Sequence, residues 1–285
     1  MQPVLWGFDD TLQWLVSLFY FLLYVYQDSI VGVRGGNICM GKVIVVASGK
    51  GGTGKTTTVA AVASCLAALE YKTLCVDFDS GMKNLDLSLC MSDYAVADFM
   101  DVISNQLDLM EACHESPKIP GLFFLAAPSV YAPDQPNVSA LIRMFNEIRR
   151  EFDYCIIDSP SGIGAGFKLS HIAADMSIIV TTGELPAMRD AQQAASAARD
   201  TGVEDVRLLV NRLLPKNFKF MQATIDDVIN TVCARLIGVI PEDNAVFLSL
   251  HENTPLVLYR KRRSAYKFLD VARRIVGEDV PLRIR

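Results

Sequence analysis

Residues 48–58 read SGKGGTGKTTT, a stretch of glycines, lysines and threonines spaced to hold phosphate. Within it GKGGTGKT, residues 49–56, satisfies the pattern G-x-x-x-x-G-K-[ST]. Gly49, Gly51, Gly52 and Gly54 let successive backbone N–H groups point at phosphate oxygens, and a helix opening near Lys55 adds its positive end. Lys55 is placed to neutralise the β- and γ-phosphates, and the Thr56 hydroxyl to ligate Mg²⁺. Lys50 and Thr53 occupy variable positions, and Lys50 is a second cation where phosphate binding needs one. Asp158 ends the apolar run YCIID, the place of the carboxylate that holds Mg²⁺ through water. Asp77 and Asp79 end KTLCVDFD, and ligands gather at such strand ends. Singly, an aspartate there is more often a turn or cap residue. Three of them at the edge of one phosphate loop make a site. The loop after Asp158, SPSGIGAG, has glycines that let it move when a γ-phosphate arrives or leaves.

Holding these residues together requires a sheet whose strand ends meet. Apolar runs bounded by turn residues recur at 42–48, 72–78, 122–128, 154–158, 177–182, 206–211 and 235–240. Near-continuous Val, Ile and Leu, rather than alternation, means strands buried on both faces and a mostly parallel sheet. Between them TTTVAAVASCLAALE, ALIRMFNEIRREF and PAMRDAQQAASAARD have helical composition, and Pro186 suits a first helical turn. The expected architecture is α/β and doubly wound, with helices on both faces, in one domain.

With 285 residues, 51% apolar and 21% charged, the chain is long enough for a large core and too apolar for disorder. A net charge of −5 argues against bulk attraction to nucleic acid and leaves only a local basic patch for that role. The seven cysteines form no C-x-x-C pair, so a reduced, cytosolic protein is expected. The first 39 residues differ from the rest. WLVSLFYFLLYVY, residues 14–26, is nearly all apolar, but the uncharged run 11–27 falls short of the ~20 residues that span a bilayer. Three readings stay open: an N-terminal membrane anchor, a buried helix, or a start codon placed too far upstream. Arg34, Gly35 and Gly36 imply purine-rich codons just ahead of Met40, as a ribosome-binding site would, so the fold is expected to run from 40 to 285.

KGGTGKTT resembles the deviant Walker A motif of the MinD/ParA family of ATPases. The resemblance to the MinD-like branch extends through VDFDSGMKNLDL, CIIDSPSGIGAG, ADMSIIVTTGELPAMRDAQ and LIGVIPEDNAV. It implies an ATP- and Mg²⁺-dependent hydrolase that dimerises on binding ATP and controls spatial positioning, above all division-site placement. By the same resemblance Lys50 crosses the dimer to the partner's phosphates, as an arginine finger does. Asp79 would orient the attacking water, Asp77 and Asp158 would organise Mg²⁺ beside Thr56, and Thr57 would touch the α-phosphate. Asn211 matches the residue that reads adenine, Pro241 and Asp243 bound the loop beside the base, and Asp190 matches a helix aspartate near the dimer face. The partners implied are a second copy and regulators of the MinC and MinE type.

The chain departs from that resemblance in two places. It ends at GEDVPLRIR without the short amphipathic helix that attaches such proteins to membranes, which leaves a membrane surface and DNA both open as partners. Arg260, Lys261, Arg262 and Arg263 precede the helical pattern SAYKFLDVARRIVG, where cations oppose the helix dipole and would suit lipid head groups, DNA phosphate or an acidic partner. The alternative reading is therefore a ParA-like or flagellar-number-type ATPase acting on DNA or a protein regulator. The expected location is the cytoplasm, with or without peripheral attachment at the inner face of the cell membrane.

Overall fold

The computed structural model describes residues 40–94, 96–128, 137–214, 224–259 and 263–282. The expectations for residues 1–39, and for Arg260, Lys261 and Arg262, lie outside the described residues. Among the described residues no helix is long and apolar enough to cross a membrane.

All seven expected strands are present: β1 (Lys42–Ala47), β2 (Thr73–Asp77), β4 (Leu122–Leu125), β5 (Tyr154–Asp158), β6 (Met176–Thr181), β7 (Asp205–Leu213) and β8 (Arg235–Pro241). A further two-residue strand, β3 (His114–Glu115), had no apolar run to announce it. The order is β3-β4-β2-β5-β1-β6-β7-β8, and all pairings are parallel except β3 against β4. β1 lies in the middle with the chain winding outward on either side, so its carboxyl end is where a doubly wound sheet opens a crevice.

Helices cover both faces. On one side α1 (Lys55–Ala68), α2 (Leu85–Leu89), α9 (Asn244–His251) and α10 (Arg263–Ile275) enclose an apolar layer that includes Ile44, Val46, Leu66 and Phe268. On the other, α3 (Phe99–Ile103), α4 (Leu109–Ala112), α5 (Val138–Glu151), α6 (Ala165–Ser170), α7 (Leu185–Asp200) and α8 (Ile225–Val232) close over Val43, Val45, Phe78 and Phe145. Burial of 12 of the 14 residues of α1 explains its alanine-rich composition: a helix wedged against a sheet and two neighbours has no room for an outer polar face. The apolar stripe of α10, Ala265, Phe268, Leu269, Ala272 and Ile275, is core, with Val276 packed at its edge.

The start of β1 is clamped. Arg149 of α5 donates to both carboxylate oxygens of Asp175, at 2.6 and 2.9 Å, and to the carbonyls of Gly41 and Ala173. Asp175 in turn accepts from the Val43 N–H at 2.7 Å. A bidentate guanidinium–carboxylate pair of this kind fixes geometry as well as adding stability, and it sets the register of the strand that carries the phosphate loop.

Candidate active site

The loop between β1 and α1 turns on Gly52 and Gly54, with φ of 80° and 89°, a backbone region that side chains rarely adopt. Gly49 and Gly54 are further required by crowding. A side chain at Gly49 would run into the main-chain carbonyl of Asp190 on α7, and one at Gly54 into the amide of Asn211. That amide donates to the Thr53 carbonyl at 2.9 Å, tying the end of β7 to the phosphate loop.

The two lysines sit in opposite environments. Lys55 is buried, with its ammonium 3.4 Å from Asp158 Oδ1, while Lys50 is exposed on the lip of the loop. Among the described residues the Lys50 ammonium has no ion-pair partner. Burial raises the Asp158 ionisation above its ordinary value, against the pull of the Lys55 charge and of the nearby Thr56 hydroxyl. Asp77 stands beside Asp158 in the β2–β5 register. Burial first, and the Asp158 charge second, push Asp77 up to about 7, opposed by bonds from the backbone N–H groups of Asp79, at 2.8 Å, and Leu85. Asp79 is half-buried, and its charge raises both other carboxyls. The structure therefore brings Lys55, Thr56, Asp77, Asp79 and Asp158 together, as expected.

Two observations bear on a nucleotide and Mg²⁺ here. The Thr53 hydroxyl is buried with no hydrogen-bond partner among the described residues, the condition of a group that a ligand satisfies. The adjacent carboxyls with raised ionisation mark a site short of positive charge, which a divalent cation supplies. Among the described residues no three His, Cys, Asp or Glu side chains gather to hold a metal by themselves. Mg²⁺ keeps waters and takes other oxygens from phosphate and a hydroxyl.

From Lys50 a cleft of about 300 Å³ runs across Thr53 to the ends of β6, β7 and β8, lined there by Gly183, Arg212 and Glu242. Arg212, which follows Asn211, escaped the sequence reading. It has a φ of 56°, bonds Glu242 at 2.9 Å, and reaches toward the Gly52 carbonyl at 3.5 Å. The signal was there to find: a charged pair, Arg212 and Glu242, at the carboxyl ends of adjacent strands. Of the loop expected beside the base, Glu242 lines the cleft and Pro241 pairs with Leu213. Asp243 is otherwise engaged: one oxygen caps α9 through the Ala245 N–H, and the other accepts from the Ser264 N–H and hydroxyl at the start of α10. Thr57 lines a smaller cleft with Ser88 and Leu250.

Comparison with known proteins agrees with this geometry. Residues 41–201 match the family model described as "AAA domain". The septum site-determining protein MinD of Synechocystis sp. is 35% identical over 244 residues, covering 85% of this chain and 92% of that protein. The protein of the same name from Bacillus subtilis is 35% identical over 251 residues, 86% of this chain and 92% of that protein. Among solved structures, the MinC:MinD cell division protein complex of Aquifex aeolicus superposes with a TM-score of 0.79 at 31% identity, covering 85% of this chain and 98% of that chain. Sharing that degree of identity over most of its length, and the same sheet around the same phosphate loop, the chain belongs to the MinD family of P-loop ATPases.

Proposed function

We propose that this chain is a Mg²⁺-dependent ATP hydrolase that pairs with a second copy when ATP is bound, and that this cycle contributes to division-site placement from the cytoplasm. The contrast between the two lysines carries the reading. Lys55 is committed within its own site, whereas Lys50 stands exposed on the lip of the cleft with no ion-pair partner among the described residues. An exposed cation there is positioned to reach the phosphates held by another copy, so that nucleotide becomes part of the interface.

Within one copy, the backbone N–H groups of residues 49–54 and the Lys55 ammonium hold the phosphate chain, and the Thr53 hydroxyl acquires the partner it lacks. Thr56 and Asp158 would hold Mg²⁺, with Asp77 behind them, and the cation supplies charge neutralisation at the phosphoryl group being transferred. Asp79 orients a water in line with the γ-phosphorus; the bond to the bridging oxygen breaks, and ADP and phosphate leave. A regulator of MinC type is the expected partner of the dimer, supported by the Aquifex aeolicus MinC:MinD complex among the similar structures.

The test is light scattering with ATP and with ADP, alongside phosphate release, for the wild type and Lys50→Ala. The wild type should form dimers with ATP alone, and the variant should remain monomeric with turnover reduced by about 10³-fold, the lower end for a cation supplied in trans. A Lys50→Ala protein that dimerises normally with ATP removes this reading of the lysine.

A further inference from the structure

Behind the loop that follows Asp158 lies a polar network inside an otherwise apolar layer. His171, at the end of α6, is 1% exposed and stacks on Phe167 with ring centroids 4.1 Å apart. Its Nδ1 lies 2.7 Å from the Phe167 carbonyl, which can only accept, so Nδ1 carries the proton and Nε2 accepts from the Ser177 hydroxyl at 2.9 Å on β6. Ser170, beside it, donates to the Phe167 carbonyl at 2.8 Å and accepts from the Ser159 hydroxyl at 3.1 Å. The Ser159 N–H is tied to the Val46 carbonyl of β1 at 3.1 Å. Ser159, Ser170, His171 and Ser177 are all buried.

We infer that His171 and Ser170 are positioning residues for hydrolysis: they anchor one end of the 159–164 loop so that contact with a γ-phosphate moves the glycine end rather than the whole loop. Four buried polar side chains are a poor way to fill a core that leucine or alanine would fill at less desolvation cost. What they add is a fixed position. Satisfied buried networks rigidify the elements they join, and this one joins β6, α6 and the residue directly after the Mg²⁺-site aspartate. The glycine end of the loop is held lightly by comparison, among the described residues by backbone bonds alone: the Gly162 N–H to the Ser48 carbonyl at 3.1 Å, next to the phosphate loop, and the Lys168 N–H to the Gly164 carbonyl at 3.3 Å. Gly162 has a φ of 84°, so the backbone there can change conformation where an ordinary residue would resist. One end is pinned and the other can respond, which is the arrangement of a hinge whose pivot is the histidine network.

The inference rests on the ATPase reading above, and the experiment separates the two. Two variants break the anchor in different ways. Ser170→Ala cuts the link between Ser159 and the Phe167 carbonyl that His171 also bonds. His171→Phe with Ser177→Ala replaces both partners of one bond by apolar groups, a change that leaves no orphaned donor and is close to neutral for stability. Basal ATP turnover, ATP affinity and hydrogen exchange of the 159–164 amides are measured for each. The expected result is a kcat five- to tenfold lower, on the order of one lost hydrogen bond, with KM for ATP within twofold of wild type. ATP-dependent protection should be lost in the 159–164 amides and kept in β1 and α1. Turnover within twofold of wild type in both variants overturns the inference and leaves the ATPase reading standing. So does a loss of turnover that only tracks a lower melting temperature with uniform loss of protection. A wild-type protein that releases no phosphate from ATP overturns the ATPase reading itself.

Discussion

Acid should destabilise this protein through His171 in a way that can be isolated. Burial lowers the His171 imidazole from 6.5 to about 4, against the bond to the Phe167 carbonyl, which raises it. Between those values the unfolded chain binds a proton that the native chain refuses. The unfolded state therefore binds more protons, and stability rises with pH across the window. The stabilisation is complete above pH 6.5 and is lost on acidification toward pH 4. At 1.36 kcal/mol for each unit of displacement, the full loss is about 3 kcal/mol, of which about 2 kcal/mol is gone by pH 5. The imidazole is almost wholly inaccessible, so solvent screening does not reduce the figure. Urea unfolding at pH 7.5, 6.5, 5.5 and 5, for the wild type and for His171→Phe with Ser177→Ala, measures it, because carboxylate effects common to both proteins cancel in the difference. The variant should gain about 2 kcal/mol on the wild type between pH 7.5 and pH 5. Parallel stability curves would mean that His171 takes up its proton in the native state near 6.5, and the hydrogen-bond assignment of its two nitrogens would fall with it.

Two other perturbations follow from the geometry. Gly54→Ala forces a left-handed residue, at about 1 kcal/mol, and pushes a methyl group into the Asn211 amide. Calorimetric titration should show ATP affinity down at least tenfold, while circular dichroism stays that of the folded protein. Arg149→Ala removes the bidentate pair with Asp175 and leaves the Gly41 and Ala173 carbonyls short of a donor. Because both side chains are part-exposed, the expected loss is about 2 kcal/mol in urea unfolding, with ATP affinity unchanged once the protein is folded.

The fold was legible where burial alone decides the element. The strands carried unbroken apolar runs because helices cover both faces of the sheet, and the phosphate loop was legible because φ above zero and close approach admit only glycine at Gly54. Legibility ended where the determining contacts are long-range. β3 exists because β4 offers it an edge, and nothing in His114 and Glu115 themselves favours a strand. Arg212 and Glu242 are ordinary surface types until β7 and β8 lie side by side. Asp243 read as part of a base-binding loop, yet its carboxylate joins α9 to α10, a contact set by Ser264, 21 residues on. The His171 network was invisible for the same reason: Ser159, Ser170 and Ser177 are spread along the chain, and each alone looks like a small filler.

The sheet margins bear on how such a protein can crowd together. If pairing follows the nucleotide, as proposed above, it must not also run through open backbone. At one margin β3 runs against the parallel grain and offers only two residues as a template. At the other, β8 opens with the exposed cation Arg235 and closes with Pro241, which has no N–H to give. α10 packs so closely on β8 that Gly238 has no space for a side chain beside Val271. Edges blunted by charge, proline and an overlying helix resist strand-to-strand growth. The sheet margins then do not nucleate fibres at high local density, and in the proposed cycle pairing is left to the nucleotide.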